Sequence, residues 1–146
     1  MKLPGPFHIT RVAETEEYRR DLNFVLPDAT PETFATTRTA HDARFVDIAA
    51  HKLIMSCHSL IVRTARHVIL VDTCVGNDKP RPGMAQWHMQ NTPFLDSLKA
   101  AGVNCDDVTH VLCTHLHADH IGWNTKRLNG RWVPTFPKAK YIMHRK

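Results

Sequence analysis

The sequence predicts an α/β protein built in layers, and three observations carry that expectation. Short β-branched runs crowd the first half of the 146-residue chain, and one well-delimited helix follows them. A buried strand then leads into a loop dense in histidine, and a hairpin closes the order. Hydrophobic residues at 42% and charged residues at 23% are the proportions of an ordinary globular protein, and the length suits one domain with a modest core.

Taken in order, Phe7 to Val12 alternates well enough for a first strand, and the charged stretch from Ala13 to Arg20 comes after it. Leu22 to Leu26 is a short apolar run that Pro27 ends. From Pro27 to Arg44 the chain is rich in Thr, Pro and Asp without a sustained period, which reads as a loop or irregular extension. Three strands are expected next: Arg44 to Ala49, Lys52 or Leu53 to Arg63, and His67 to Asp72. Ser59-Leu60-Ile61-Val62 and Val68-Ile69-Leu70-Val71 flank a polar turn, the pattern of neighbouring antiparallel strands with a buried face. Asn77 to Gln90 is a loop carrying Pro80, Pro82, Gly83, Trp87 and His88.

The helix has both of its ends written in the sequence. Thr92 is expected as the N-cap and Pro93 at the first helical position, and Gly102 terminates the run. Phe94, Leu95, Leu98 and Ala101 make one apolar face. Asp107 to Cys113 reads as a buried strand. Any helix opened at Asp119 is brief, because Gly122 interrupts it. Leu128-Asn129-Gly130-Arg131 is a two-residue hairpin turn, and Ala139 to Met143 is expected as a closing strand.

Charge and cysteine usage narrow the function classes. The formal net charge is +5, a mild excess gathered partly in the last residues. Lys138, Lys140, Arg145 and Lys146 are not interleaved with stacking aromatics in the way nucleic-acid grooves favour, so a solvated end is expected there. Four cysteines show neither CxxC spacing nor a paired framework, and polar residues follow Met1 to Pro6 where a signal peptide needs an apolar run. Reduced thiols and a cytoplasmic location are the expectation, with no membrane span.

The chemistry concentrates in Thr114-His115-Leu116-His117-Ala118-Asp119-His120, where three histidines and an aspartate fall as His-x-His-x-Asp-His. Imidazole and carboxylate suit zinc, iron or manganese without any thiolate. In extended chain, residues two apart point the same way, so His115 and His117 can converge on one metal from the end of a strand. Asp119 and His120 lie where the chain must turn and can converge on a second. Two adjacent divalent metals, zinc first among them, would activate water against an ester, amide or phosphoryl group.

This stretch resembles the ligand motif of the metallo-β-lactamase fold hydrolases. Val71-Asp72-Thr73 at a strand end is similar to that superfamily's Asp-Thr-Gly, and the strand, helix and strand after Asp72 come in its order. The resemblance covers roughly residues 44–146. It implies an αββα sandwich with a dinuclear site at one edge of the sheets, Asp72 close behind the ligands, and Asp119 helping to deliver a proton to the leaving group. Cys74 departs from the family by standing where glycine is usual. The family also takes a third His for the first metal, then a bridging Asp and a last His for the second, from farther along its chain. The 26 residues after His120 hold only His144 among histidines and no Asp or Glu. His144 is expected at the surface. The expectation is therefore the N-terminal half of the sandwich, with residues 1–43 as an extension and first strand and 44–146 as the partial domain.

Smaller signals divide between site and core. Trp87, His88, Met89 and Trp123 could line an apolar substrate pocket or simply pack. His110 is expected to be a packed or edge histidine. Trp123 after Gly122, with Trp132 to Pro137, resembles the lactonase and organophosphate-hydrolase relatives. The reading is a metal-dependent hydrolase of a small ester, lactone or related bond, acting on a small-molecule substrate. A non-catalytic metal-binding fragment and a nucleic-acid phosphodiesterase are the alternatives.

Overall fold

The computed structural model describes residues 6–30, 32–33 and 43–145. Much of the loop expected over 27–44 thus lies outside the described residues. The chain divides into two compact units, one of residues 1–14 with 57–146 and one of residues 15–56.

The larger unit is built on a mixed sheet. Strand β3 (Lys52–Arg63) pairs antiparallel with β4 (Val68–Val71), as the two β-branched runs predict, with Leu60 opposite Val71 and Arg63 opposite Val68. Beyond β4 the pairing turns parallel, first with β5 (His110–Leu112) and then with β8 (Lys140–Ile142). Strand β1 (His8–Asp21) is the neighbour of β3, giving the order β1-β3-β4-β5-β8. It runs on through the charged stretch expected to follow a shorter strand. As an edge strand it presents charged side chains that a central strand could not hold.

Parallel neighbours need a crossover, and the β4-to-β5 connection carries helix α2 (Phe94–Ala100). Leu70 and Val111 are in register on one face of the sheet and fully buried. Phe94 and Leu98, one turn apart, bury completely in the same core with Ile61, Val103, Val108, Trp123 and Phe136. Burial of each such helix side chain is worth about 1.5–3 kcal/mol.

Three local expectations change. Thr92 is not the cap of α2: Pro93 takes that position, no side chain caps the helix, and the Thr92 hydroxyl lies 3.2 Å from both Glu14 Oε1 and Asn77 Oδ1. The expected strand from Asp107 starts later, because Asn104 and Asp107 form a reciprocal capping box around the 3₁₀ turn Cys105–Asp107. Gly122 opens a 3₁₀ turn, Gly122–Asn124. The hairpin is as expected: β6 (Thr125–Leu128) and β7 (Arg131–Pro134) close through Asn129 and Gly130, both left-handed at φ 50° and 78°.

The smaller unit holds helix α1 (Leu22–Val25), whose Leu22 is buried, and the two-residue strand β2 (Val46–Asp47). Strand β2 is shorter than the sequence suggests and pairs antiparallel with Lys52 and Leu53. Arg19 reaches Asp47 at 2.8 Å and Lys52 reaches Asp21 at 3.1 Å. Exposed pairs of this kind add little stability. No helix among the described residues is long and apolar enough to cross a membrane.

Candidate metal centre

Strands β4 and β5 run parallel and end together, so the chain leaves both at one edge of the sheet, where open α/β sheets place their sites. From β4 comes Asp72, and from β5 comes the turn of residues 114–120. The Asp72 N–H donates to Leu112 O at 2.9 Å, which sets its side chain beside Thr114. Its backbone is left-handed, φ 56°, a conformation aspartate tolerates better than most residues.

The Asp72 carboxylate organises the turn. Oδ1 accepts the Thr114 N–H at 2.8 Å, and Oδ2 accepts the Thr114 hydroxyl at 2.7 Å and lies 2.8 Å from His120 Nδ1. Burial works to raise its pKa, but the hydrogen bonds from His120 and Thr114 outweigh it and hold the acid below the ordinary aspartate value. An ionised carboxylate only accepts, so the proton of His120 belongs on Nδ1 and Nε2 is left free.

His115 and Asp119 approach His120, and His117 approaches His115. The His115 ring lies 3.9 Å from His120 and 4.5 Å from His117, centroid to centroid. His115 Nε2 and His117 Nδ1 stand 3.1 Å apart, and His120 Nε2 and Asp119 Oδ2 stand 3.5 Å apart. Two ligand atoms each about 2.0–2.1 Å from a tetrahedral zinc lie about 3.4 Å from each other. Both pairs fit that spacing. Among the described residues no three His, Cys, Asp or Glu side chains are arranged to hold a metal ion, so the donors come as two pairs.

A cleft of about 660 Å³ opens beside His115 and His117. Leu116, Met143 and His144 also line it, so His144 is exposed, as expected, yet faces the same space. His110 lies elsewhere, bonded through Nδ1 to the Thr109 hydroxyl and packed edge-on against His67. Trp123 is core: only 4% exposed, it stacks on Phe94 at 5.6 Å. His88 Nδ1 accepts the backbone N–H of Arg81 at 2.9 Å.

The two loops of the site are stapled backbone to backbone. Thr73 N donates to His120 O at 2.8 Å, Gly122 N to Cys74 O at 2.7 Å, and Trp123 N to Thr73 O at 2.8 Å. Cys74 keeps the left-handed backbone that a glycine would take there, φ 50°, with its side chain fully buried. Burial pushes its thiol pKa up, and that of Cys57 to about 12. All four cysteines are free.

Two residues that sequence reading overlooks support these loops. The Arg81 guanidinium bridges them, donating to Val75 O at 2.9 Å and Ala118 O at 3.1 Å. The Glu14 carboxylate accepts the N–H groups of Val75 and Gly76 and the indole N–H of Trp123. Neither residue lies in a local motif, and apart from Val75, six positions before Arg81, their partners in these loops are at least 37 positions away.

Comparison with known proteins identifies the family of the chain. A family model described as the metallo-beta-lactamase superfamily matches residues 54–146. The N-acyl homoserine lactonase AiiB of Agrobacterium fabrum is 26% identical over 147 residues, covering 91% of this chain and 45% of its own length. A probable metallo-hydrolase of Mycobacterium bovis, Mb2322c, is 29% identical over 119 residues, covering 75% of this chain and 38% of its own. Among solved structures, a probable metal-dependent hydrolase from Staphylococcus aureus superposes with TM-score 0.68 at 18% identity, over 97% of this chain and 47% of its own. AidC, a dizinc quorum-quenching lactonase, superposes with TM-score 0.66 at 24% identity, over 97% of this chain and 42% of its own. The chain thus spans less than half the length of these relatives, and the two structures speak to fold alone. With the family model covering well over half of its residues, the chain belongs to the metallo-beta-lactamase superfamily.

Proposed function

We propose that the protein is a metal-dependent hydrolase of a small ester or lactone, and that residues 115–120 hold its metals. The observation that carries this is the pair of donor sets on one turn, with His120 oriented from behind by Asp72. His115 and His117 would hold one divalent ion, and Asp119 and His120 a second. Zinc suits the all-nitrogen and oxygen donors, as do manganese, iron and cobalt. Bound there, paired metals would supply Lewis acidity toward the scissile carbonyl and water activated near neutral pH.

The chain's own residues do the rest. Asp72 keeps the Nδ1 proton of His120 in place, so that Nε2 faces the site. Asp119, whose carboxylate lies 3.5 Å from His120 Nε2, would take a proton from the attacking water and pass it to the leaving group. Leu116 and Met143 give the cleft apolar walls suited to an acyl or alkyl portion of substrate. The names of AiiB and Mb2322c support this class of reaction.

Zinc-loaded protein is expected to hydrolyse neutral lactones at a rate insensitive to salt, and His115→Ala to abolish that turnover. Activity and metal content both intact in His115→Ala would contradict the assignment. The donors' arrangement as two pairs favours one second reading, a metal-binding chain without catalysis. Zinc bound tightly with no turnover of any lactone or ester would select it.

A further inference from the structure

Glu14 lies outside the His-x-His-x-Asp-His turn in sequence and touches none of its donors, yet four contacts tie it to the loops that carry them. Its Oε2 accepts the Val75 N–H at 2.7 Å. Its Oε1 accepts the Gly76 N–H at 3.0 Å and the Trp123 indole N–H at 2.6 Å, and it lies 3.2 Å from the Thr92 hydroxyl. The Val75 and Gly76 N–H groups converge because the backbone alternates in handedness here, with Cys74 and Gly76 left-handed at φ 50° and 77°. Consecutive N–H groups of such a nest favour an anion.

We propose that Glu14 is a positioning residue for the metal-binding turn, acting through these loops on the Asp72–His120 pair. This rests on the reading of residues 115–120 as the metal site. On one side Glu14 grips residues 75 and 76, and on the other the side chain of Trp123. Between those grips lie the backbone staples that join 72–74 to 120–123, including Thr73 N to His120 O and Gly122 N to Cys74 O. The contact is too close for slack. A Cβ on Gly122 would fall 1.8 Å from Val75 O, and one on Gly76 2.6 Å from Gly122 C. A shift of the 75–76 turn therefore moves Gly122, and with it the backbone of His120.

The chemistry calls for a carboxylate. All its partners donate, and a glutamate oxygen only accepts. A glutamine in either orientation sets its NH₂ against one of those donors. Glu14→Gln should therefore loosen the staple while keeping side-chain volume.

The test compares the wild-type chain with Glu14→Gln and with Trp123→Phe, which removes one donor and keeps the ring stacked on Phe94. Zinc affinity is read by competition with a chromophoric chelator, folding by circular dichroism and thermal melting. The hydrogen-bonded Nδ1–H of His120 is read by proton–nitrogen NMR of the metal-free chain. The expectation is about tenfold weaker zinc binding by folded Glu14→Gln, a smaller loss in Trp123→Phe, and broadening or loss of the His120 Nδ1–H signal. Lower melting temperatures with wild-type zinc affinity and an intact His120 signal would overturn it, leaving Glu14 a structural residue. If Glu14→Gln does not fold, Trp123→Phe decides by the same readings. If the wild-type chain binds no zinc, the metal reading fails and the His120 signal alone judges Glu14: loss in the variants supports the proposal, and persistence overturns it.

Discussion

At Asp72 one carboxylate takes three hydrogen bonds and so fixes both the start of the 114–120 turn and the tautomer of its last histidine. Asp72→Asn keeps the shape but offers an amide where His120 needs an acceptor. Zinc affinity is expected to fall about 10–100-fold, measured by chelator competition, with the fold retained. Gly122 is a different kind of constraint. Its missing Cβ leaves room for Val75 O, so Gly122→Ala should cost about 3 kcal/mol or more, read from urea unfolding. The buried thiols set a pH limit. Unfolded cysteine releases its proton near pH 8.5, whereas Cys57 in the folded chain holds its proton to about 12, and Cys74 is raised as well. The folded state then keeps protons that the unfolded state loses, so stability is full below about pH 8.5 and falls as pH rises beyond it. Urea midpoints at pH 8 and pH 10 check this, and a midpoint unchanged or higher at pH 10 would refute it. These residues also divide by legibility. His115, His117, Asp119 and His120 could be read because six residues contain them all. Glu14 could not, since its partners stand 61 to 109 positions away and a glutamate in a charged strand looks like surface.

Elements were readable where a local rule decided them. Asn129-Gly130 demands left-handed backbone at both positions, and the structure places both there. The Gly130 Cβ position is open, with no atom within 4 Å, so Gly130→Ala should cost only the backbone term, about 1–2 kcal/mol by thermal melting. A cost near zero would mean the turn relaxes to another type. Helix α2 was readable in its apolar face, since Phe94 and Leu98 recur on one side and both bury. Its start was not. Thr92 has the right chemistry for a cap, but Glu14 and Asn77 draw its hydroxyl into tertiary contacts that no local window contains. Strand β1 outran its apolar pattern for a related reason. Its place at the sheet edge permits charge, and edge position is a property of the sheet rather than of the segment.

For the molecule as a whole, the topology delivers the site. An antiparallel pair followed by parallel crossovers brings the ends of β4 and β5 together, and the two loops leaving them meet as Asp72 and the histidine turn. The sheet order could not be read from the chain, but the meeting of Asp72 with the motif could be expected from resemblance to the metallo-beta-lactamase family. In the proposed site residues 115–120 hold divalent metal as two donor pairs, with Cys113, though it lines the cleft, taking no part. Zinc titration followed by X-ray absorption spectroscopy on the wild-type chain and on paired variants tests this assignment most directly. Nitrogen and oxygen neighbours at about 2.0–2.1 Å and no sulfur at about 2.3 Å are expected. One zinc should be lost in the His115→Ala, His117→Ala variant and the other in Asp119→Ala, His120→Ala. Sulfur ligation, or zinc stoichiometry unchanged in both variants, would contradict the assignment.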